Sequence, residues 1–105
     1  MADKFLSLLG MARKANRVVL GLDKAVSAIR AETAQAAVYA CDLSDKTKKE
    51  LRFAATQHPV RLLDTTYTIA QLSAAVGCKT GVITVTDTGF ADRLVSLYNS
   101  DAVSI

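Results

Sequence analysis

The feature that most restricts the fold of this chain is a regular alternation of short apolar runs with longer segments of helical periodicity. The apolar runs predict strands at residues 18–20, 35–41, 60–63 and 82–85. Around them, apolar residues recur at intervals of three and four, which predicts helices and the order αβαβαβαβα. Because this order favours helices on both faces of a sheet, we predict an α/β fold: a three-layer α/β/α sandwich around a mixed four-stranded sheet.

Several residues predict where individual helices begin and end. Asp3 and Ser44 precede helical segments and can cap them. Thr68, followed three residues later by Gln71, matches a capping box. Gly77 predicts the end of the fourth helix.

Length and composition exclude several classes of protein. The 105 residues allow a single domain, which we assign to 1–98, followed by a C-terminal tail at 99–105. The chain has no apolar run long enough to span a membrane and no signal-peptide pattern, so we expect a cytoplasmic protein that binds no membrane. Cys41 and Cys78 are too few for a disulfide scaffold, and no Cys/His spacing resembles a zinc site. We therefore expect no metal and no cofactor.

Charge is distributed unevenly along the chain. Residues 1–61 contain 11 Lys and Arg against 6 Asp and Glu, whereas residues 62–105 contain 2 against 4. The first part is therefore basic by five charges and the second acidic by two, which favours a polyanionic partner for the basic part. Ordinary surface charge is the alternative.

No group of residues predicts catalysis. The glycine-rich motifs that bind nucleotide phosphates are missing. Cys41 follows a predicted strand and His58 ends a predicted helix, so a thiol with a neighbouring base is one interpretation. A packed thiol and a helix-end histidine are favoured instead, and we predict that the chain is not an enzyme.

The segment 21–24 is the most informative candidate binding site. A strand ends, Gly21 turns the chain, and a helix begins with Lys24 in its first turn, while Lys14 and Arg17 precede the strand. Free N–H groups and partial positive charge at a helix start suit anions and base edges. In the alternative interpretation, Asp23 simply neutralises the helix dipole.

A second candidate surface lies on the third predicted helix, which carries Lys46, Lys48, Lys49 and Arg52. A solvated helix face is the favoured interpretation. Phe53 lies off the inner stripe of this helix, and we expect it to pack under a neighbouring side chain.

Several ordered segments resemble one known family. They are residues 5–15, 17–21, 24–30, 34–40, 48–51, 68–72 and 86–94. Together they resemble the ribosomal L-seven-Ae and L-thirty-e kink-turn RNA-binding superfamily, and most closely its small bacterial YlxQ-type branch. The resemblance implies a non-catalytic, ribosomal-protein-like RNA-binding protein on an α/β/α sandwich.

The resemblance also implies which residues bind RNA. In the family, the glycine turn and the next helix start meet the sheared G·A pairs of a kink-turn, and the loop after the fourth helix covers a flipped-out nucleotide. By this correspondence and by charge, the predicted RNA-binding residues are Lys14, Arg17, Gly21, Leu22, Asp23, Lys24, Ser27, Asp42, Lys79, Thr80, Gly81 and Val82.

Three positions depart from the family motif of the Asn-Glu-x-x-Lys type. Asp23 and Lys24 occupy the Asn-Glu pair, and Ser27 occupies the lysine position. Lys24 donates hydrogen bonds where the family carboxylate accepts them. We expect a monomer that binds structured RNA, ribosomal or other, with altered kink-turn specificity. The alternative is a protein-interaction adaptor with degenerate RNA contacts.

Overall fold

The computed structural model describes residues 3–100. Within this range the elements follow the predicted order: α1 (Lys4–Lys14), β1 (Val18–Leu20), α2 (Leu22–Arg30), β2 (Ala36–Tyr39), α3 (Asp45–Gln57), β3 (Arg61–Asp64), α4 (Ile69–Val76), β4 (Val82–Val85) and α5 (Thr88–Ser100). The tail was predicted to begin at Asn99, but α5 includes Asn99 and Ser100. The rest of that predicted tail lies outside the described residues.

The predicted helix caps form the expected hydrogen bonds. The Asp3 carboxylate accepts from the amides of Phe5 and Leu6, at 2.9 and 3.1 Å. Thr68 and Gln71 form both halves of a capping box at the start of α4. Each cap satisfies amides that the first turn of a helix leaves without a partner, so these short helices start at defined residues.

The sheet is mixed and has the strand order β1-β4-β2-β3. Strand β4 pairs antiparallel with both β1 and β2, and β2 pairs parallel with β3. The central strands β2 and β4 are buried at every residue, which explains the unbroken apolar sequence of β2. The predicted mixed four-stranded sheet is therefore confirmed.

Helices cover both faces of the sheet. On one face α1 packs against α4 and α5 over a large apolar cluster that includes Phe5, Leu9 and Ile83. On the other face α2 packs against α3 over a smaller cluster that includes Ile29 and Leu51. The result is the predicted three-layer α/β/α sandwich. No helix within residues 3–100 combines the length and the apolar character needed to cross a bilayer.

Candidate nucleic-acid interface

The sheet topology gathers four connections at one end of the molecule. Because β1 and β2 both run antiparallel to β4, and β3 runs parallel to β2, the strands β1, β2 and β3 point the same way. Helices α2, α3 and α4 therefore begin at the same end of the sheet, and the chain enters β4 there. We call this end the site end, and it comprises residues 21, 41–44, 65–68 and 77–81.

Gly21 makes the turn from β1 into α2. Its φ of +94° and ψ of 164° lie in a region that residues with a Cβ rarely adopt. The Gly21 amide donates to the Val82 carbonyl at 3.0 Å, and its carbonyl accepts from Ala25 at 3.1 Å. Within the described residues no side chain forms a cap hydrogen bond at Gly21, and the acidic Asp23 in the first turn of α2 partly offsets the positive end of the helix dipole.

A groove of about 410 Å³ runs along the exposed edge of β1 to this turn. We call it the β1-edge groove, and it is lined by Arg13, Asn16, Val18, Val19, Leu20, Gly21, Lys24, Cys78 and Lys79. Three of the lining residues are cations and none is a carboxylate. Arg13, Lys24 and Lys79 are exposed, and no carboxylate within residues 3–100 forms an ion pair with them. The lining of the groove therefore carries a net positive charge, which favours an anionic ligand.

The structure brings together Gly21, Lys24 and Lys79 of the predicted site. Lys79 belongs to the connection from α4 to β4, more than fifty residues from Gly21 in the chain. The two meet because the first residue of β4, Val82, accepts the hydrogen bond from Gly21. This meeting depends on the pairing of an edge strand with a central strand, which the sequence pattern does not specify.

Four other predicted residues lie beside the groove and do not line it. Lys14 and Arg17 flank the connection from α1 to β1, and both are exposed. The Arg17 carbonyl accepts from the Thr86 amide and hydroxyl, at 2.9 and 3.1 Å. Asp23 and Ser27 are exposed on α2. Their side chains make no hydrogen bond within the part of the chain that the structure describes, so they can reach a ligand that extends beyond the groove.

Asp42 and Leu22 have roles in the fold itself. The Asp42 carboxylate accepts from the Ile69 amide at 2.8 Å, which fixes the start of α4. Leu22 is half-buried and packs against the cluster under α2 and α3. Both were predicted to bind RNA; the structure shows contacts of their side chains within the protein, and RNA binding by these two residues stays a prediction.

The connection into β4 turns inward after Lys79. Thr80 is buried, and its hydroxyl donates to the Val82 carbonyl at 2.7 Å. Val82 is buried in the core between the sheet and α2. A Cβ on Gly81 would lie 2.6 Å from a Leu43 methyl group, so Gly81 allows the two loops to pack closely. Among the four predicted residues of this connection, Lys79 alone presents its side chain to the groove.

Six residues that line the groove were not among the predicted site residues: Arg13, Asn16, Val18, Val19, Leu20 and Cys78. Asn16 has a φ of +59°, a conformation that Asn tolerates better than most residues with a side chain. The sequence signal for this turn was the polar run that ends the first helix. Arg13 belongs to the same basic run as Lys14 and Arg17, and this run is the sequence signal that could have identified it.

Cys41 and His58 do not form a catalytic pair. Cys41 follows β2 at the site end, where its thiol donates to the Thr66 carbonyl at 3.3 Å. His58 precedes β3 at the opposite end, with Nδ1 3.8 Å from a Glu32 carboxylate oxygen. Because β2 and β3 are parallel, the length of the strands separates the two side chains. Within residues 3–100, no group of three or more His, Cys, Asp or Glu residues could hold a metal ion.

Some basic side chains of α3 contact other parts of the protein, and others face solvent. The Lys48 ammonium donates to the Cys41 carbonyl at 3.0 Å. Burial and the nearby Asp64 charge raise the pKa of the Tyr39 hydroxyl, and the neighbouring Arg52 guanidinium partly offsets this rise. Lys46 and Lys49 are exposed. The expectation that a neighbour covers Phe53 is wrong, because 61% of this residue is exposed.

Comparisons with known proteins agree on one family. The model of the ribosomal protein L7Ae/L30e/S12e/Gadd45 family matches residues 3–95. A protein of Enterococcus faecium called RNA-binding protein YlxQ is 27% identical over 95 residues, which cover 90% of this chain and 91% of that protein. The protein of the same name from Bacillus subtilis strain 168 is 31% identical over 101 residues, with 91% and 96% covered.

Two solved structures share the fold. A Bacillus halodurans protein of unknown function superimposes with a TM-score of 0.88 at 27% identity, and the match covers 93% of this chain and 99% of that one. The Giardia lamblia 15.5kD RNA binding protein gives a TM-score of 0.74 at 15% identity, with 95% and 92% covered. At that identity the second likeness supports the fold alone.

Proposed function

The chain belongs to the ribosomal protein L7Ae/L30e/S12e/Gadd45 family, and we propose that it is a non-enzymatic RNA-binding protein that recognises a kink-turn or a similarly bent internal loop. The observation that carries the proposal is the β1-edge groove, where three cations that form no ion pair within residues 3–100 lie beside the glycine turn into α2. Relatives that align with nearly the whole chain have RNA binding in their names, which supports the same ligand.

The groove chemistry suits a sharply folded RNA strand. A bend brings phosphates of the two flanking stems close together, and a cluster of cations offsets their repulsion. Protein recognition of RNA favours distorted or splayed nucleotides, because the deep major groove of regular A-form RNA excludes side chains. Arg13 and Lys79 would contact phosphates, while the outward-facing amides of α2 would approach an anionic oxygen or a base edge.

Base recognition would fall to the polar side chains at the start of α2 and at the turn before β1. The exposed Asp23 carboxylate accepts hydrogen bonds, Lys24 donates them, and the Asn16 amide does both. A donor at position 24 selects base oxygens and ring nitrogens, whereas an acceptor there would select amino groups. We therefore propose that this chain prefers a bent loop whose base pairs differ from those bound by relatives with a carboxylate at this position. We also propose that the protein acts as a monomer in the cytoplasm, in association with ribosomal or other structured RNA.

The test is RNA binding by the wild-type protein and by Lys24→Ala/Lys79→Ala, measured by filter retention at several salt concentrations. The RNAs are a stem with tandem G·A pairs in a bent internal loop and the same stem with Watson–Crick pairs throughout. We expect the wild type to prefer the bent RNA. Loss of the Lys79 phosphate contact should lower the slope of log K against log salt by about 0.7 to 0.9, and loss of both side chains should weaken binding at low salt by roughly tenfold.

The matched control is Lys4→Ala/Arg93→Ala, which removes the same formal charge from a different cleft, between α1 and α5. This variant should keep most of the wild-type affinity. If the wild type retained no structured RNA at low salt, the proposal would be wrong. If both double variants lost affinity equally, net charge and not the groove would account for binding.

A further inference from the structure

Phe53 is an exposed aromatic residue for which the fold provides no cover. It lies on α3 and is 61% exposed, and the only other large hydrophobic residue of comparable exposure within residues 3–100 is Met11. The inner face of α3 is formed by Leu51 and Ala54, which are buried under the sheet. Phe53 thus belongs to neither core cluster, and its ring makes no aromatic or cation–π contact with another described residue.

Two lysines lie on the same outward stripe of α3. Counting back from Phe53, Lys49 is four residues away and Lys46 is seven, which places all three on one side of the helix. Both lysines are exposed and neither forms an ion pair within the described residues. We call these three residues the α3 patch. Its neighbours at helical spacing are two carboxylates, Asp45 and Glu50, and one cation, Arg52. Three cations therefore stand against two carboxylates, and the patch with these neighbours keeps a small positive charge.

This combination fits an unpaired nucleotide better than it fits a protein. An aromatic face with adjacent cations stacks a base and pairs with the phosphates on either side of it. A protein interface would be expected to surround the ring with further apolar side chains, since interface cores are depleted of charge. The residues that follow Phe53 on this stripe are Thr56 and Gln57, which are polar and exposed.

The α3 patch and the β1-edge groove lie on opposite sides of α2. Leu22 and Val26 of α2 pack toward the cluster shared with α3, whereas Lys24 points into the groove. Both helices begin at the site end. A strand that leaves the groove past the start of α2 therefore reaches Lys46 first and then continues along α3 toward Phe53.

We propose that the α3 patch is a second RNA-binding site, which takes an unpaired nucleotide from a single-stranded segment flanking the bent loop. The base stacks on Phe53 and the neighbouring phosphates contact Lys46 and Lys49. The inference rests on the proposed function, because it assigns a second contact to the same RNA.

The experiment compares two RNAs that share the bent internal loop. One has blunt stems, and the other carries an unpaired extension of adenosines with 2-aminopurine at successive positions. We expect the wild type to bind the extended RNA about fivefold tighter or more, with a change in 2-aminopurine emission at the stacked position. Phe53→Ala should remove both the affinity gain and the emission change and leave the blunt RNA unaffected. Phe53→Tyr should keep them, because its ring can still stack.

The matched control is Met11→Ala, which removes the other large hydrophobic side chain exposed within residues 3–100 and should keep the full gain. If the extension added no affinity while the blunt RNA bound normally, the second site would be refuted and the proposed function would stand. An equal loss of affinity for both RNAs in Phe53→Ala would also refute it. If the blunt RNA failed to bind and the extended RNA bound through Phe53, the second site would stand and the bent-loop proposal would fail.

Discussion

Replacement of Gly21 by alanine tests whether the backbone turn into α2 is as constrained as its geometry indicates. At φ +94° and ψ 164°, a Cβ is strained by its own backbone, although no other atom lies within 4 Å of its position. Such conformations cost about 1–3 kcal/mol for residues other than glycine. Alanine also lowers the conformational entropy of the unfolded chain, which stabilises the folded state by about 0.4–1 kcal/mol and offsets part of this cost. The expected net loss of unfolding free energy is about 1–2 kcal/mol.

The turn cannot relax cheaply to avoid this strain. A rotation of the peptide would break the hydrogen bond from the Gly21 amide to the Val82 carbonyl, which contributes about 0.5–1.5 kcal/mol. It would also move the first turn of α2 away from Lys79 across the groove. Gly21→Ala should therefore lower RNA affinity as well as stability, although the substituted side chain occupies open space.

The assay is urea denaturation followed by circular dichroism, with thermal melting as a second measure. For a domain of this size the expected loss corresponds to a fall in Tm of about 4–16 °C with an unchanged m-value. The control is Gly77→Ala, because Gly77 also has open space around its Cβ but adopts the left-handed helical conformation, with φ +74° and ψ 19°. That region admits side chains at lower cost, so Gly77→Ala should destabilise less. Wild-type stability of Gly21→Ala would refute the argument that this turn requires glycine.

Two further predictions concern the helix caps. Burial raises the pKa of Asp3, but hydrogen bonds from the Tyr67 hydroxyl and from the Leu6 and Phe5 amides together lower it below 3.8. A depressed folded-state pKa stabilises the fold above the unfolded value and loses that effect as pH falls through the folded value. Stability measured by urea denaturation should thus decrease below about pH 4, and Asp3→Asn should flatten this decrease; an unchanged profile would contradict the assignment. Thr68→Ala should cost about 1 kcal/mol in the same assay while Thr68→Ser costs less, and equal effects would exclude the hydroxyl as the cap.

The helix and strand types were predictable because their signals are local. The spacing of apolar residues predicted the inner faces of the helices. Thr68 and Gln71, three residues apart, predicted the capping box that starts α4. The third strand shows the limit of this approach. It was predicted at 60–63 and lies at Arg61–Asp64, because its ends are defined by the parallel pairing of Ala36 with Arg61 and not by its own apolar residues.

The candidate site was predictable in part. The sequence predicts that Gly21 turns the chain into a helix and that Lys24 places a positive charge in its first turn, because these residues are adjacent in the chain. The sequence does not reveal that Asp42 is used to anchor Ile69, because that contact joins residues 27 positions apart. For Phe53, it is the absence of a covering contact that the sequence does not reveal. Periodicity identified it as lying off the inner stripe, but only the arrangement of the other helices decided that nothing covers it.

The sequence by itself determined the order of the elements, their caps and the bend at Gly21, since each depends on interactions within a few residues of the chain. Tertiary structure decided that β4 lies between β1 and β2 and so brings Lys79 to Gly21. The physical reason is that strand order follows from which pairings bury the most apolar surface for the whole chain. The strand order therefore cannot be predicted from the apolar pattern of any single segment.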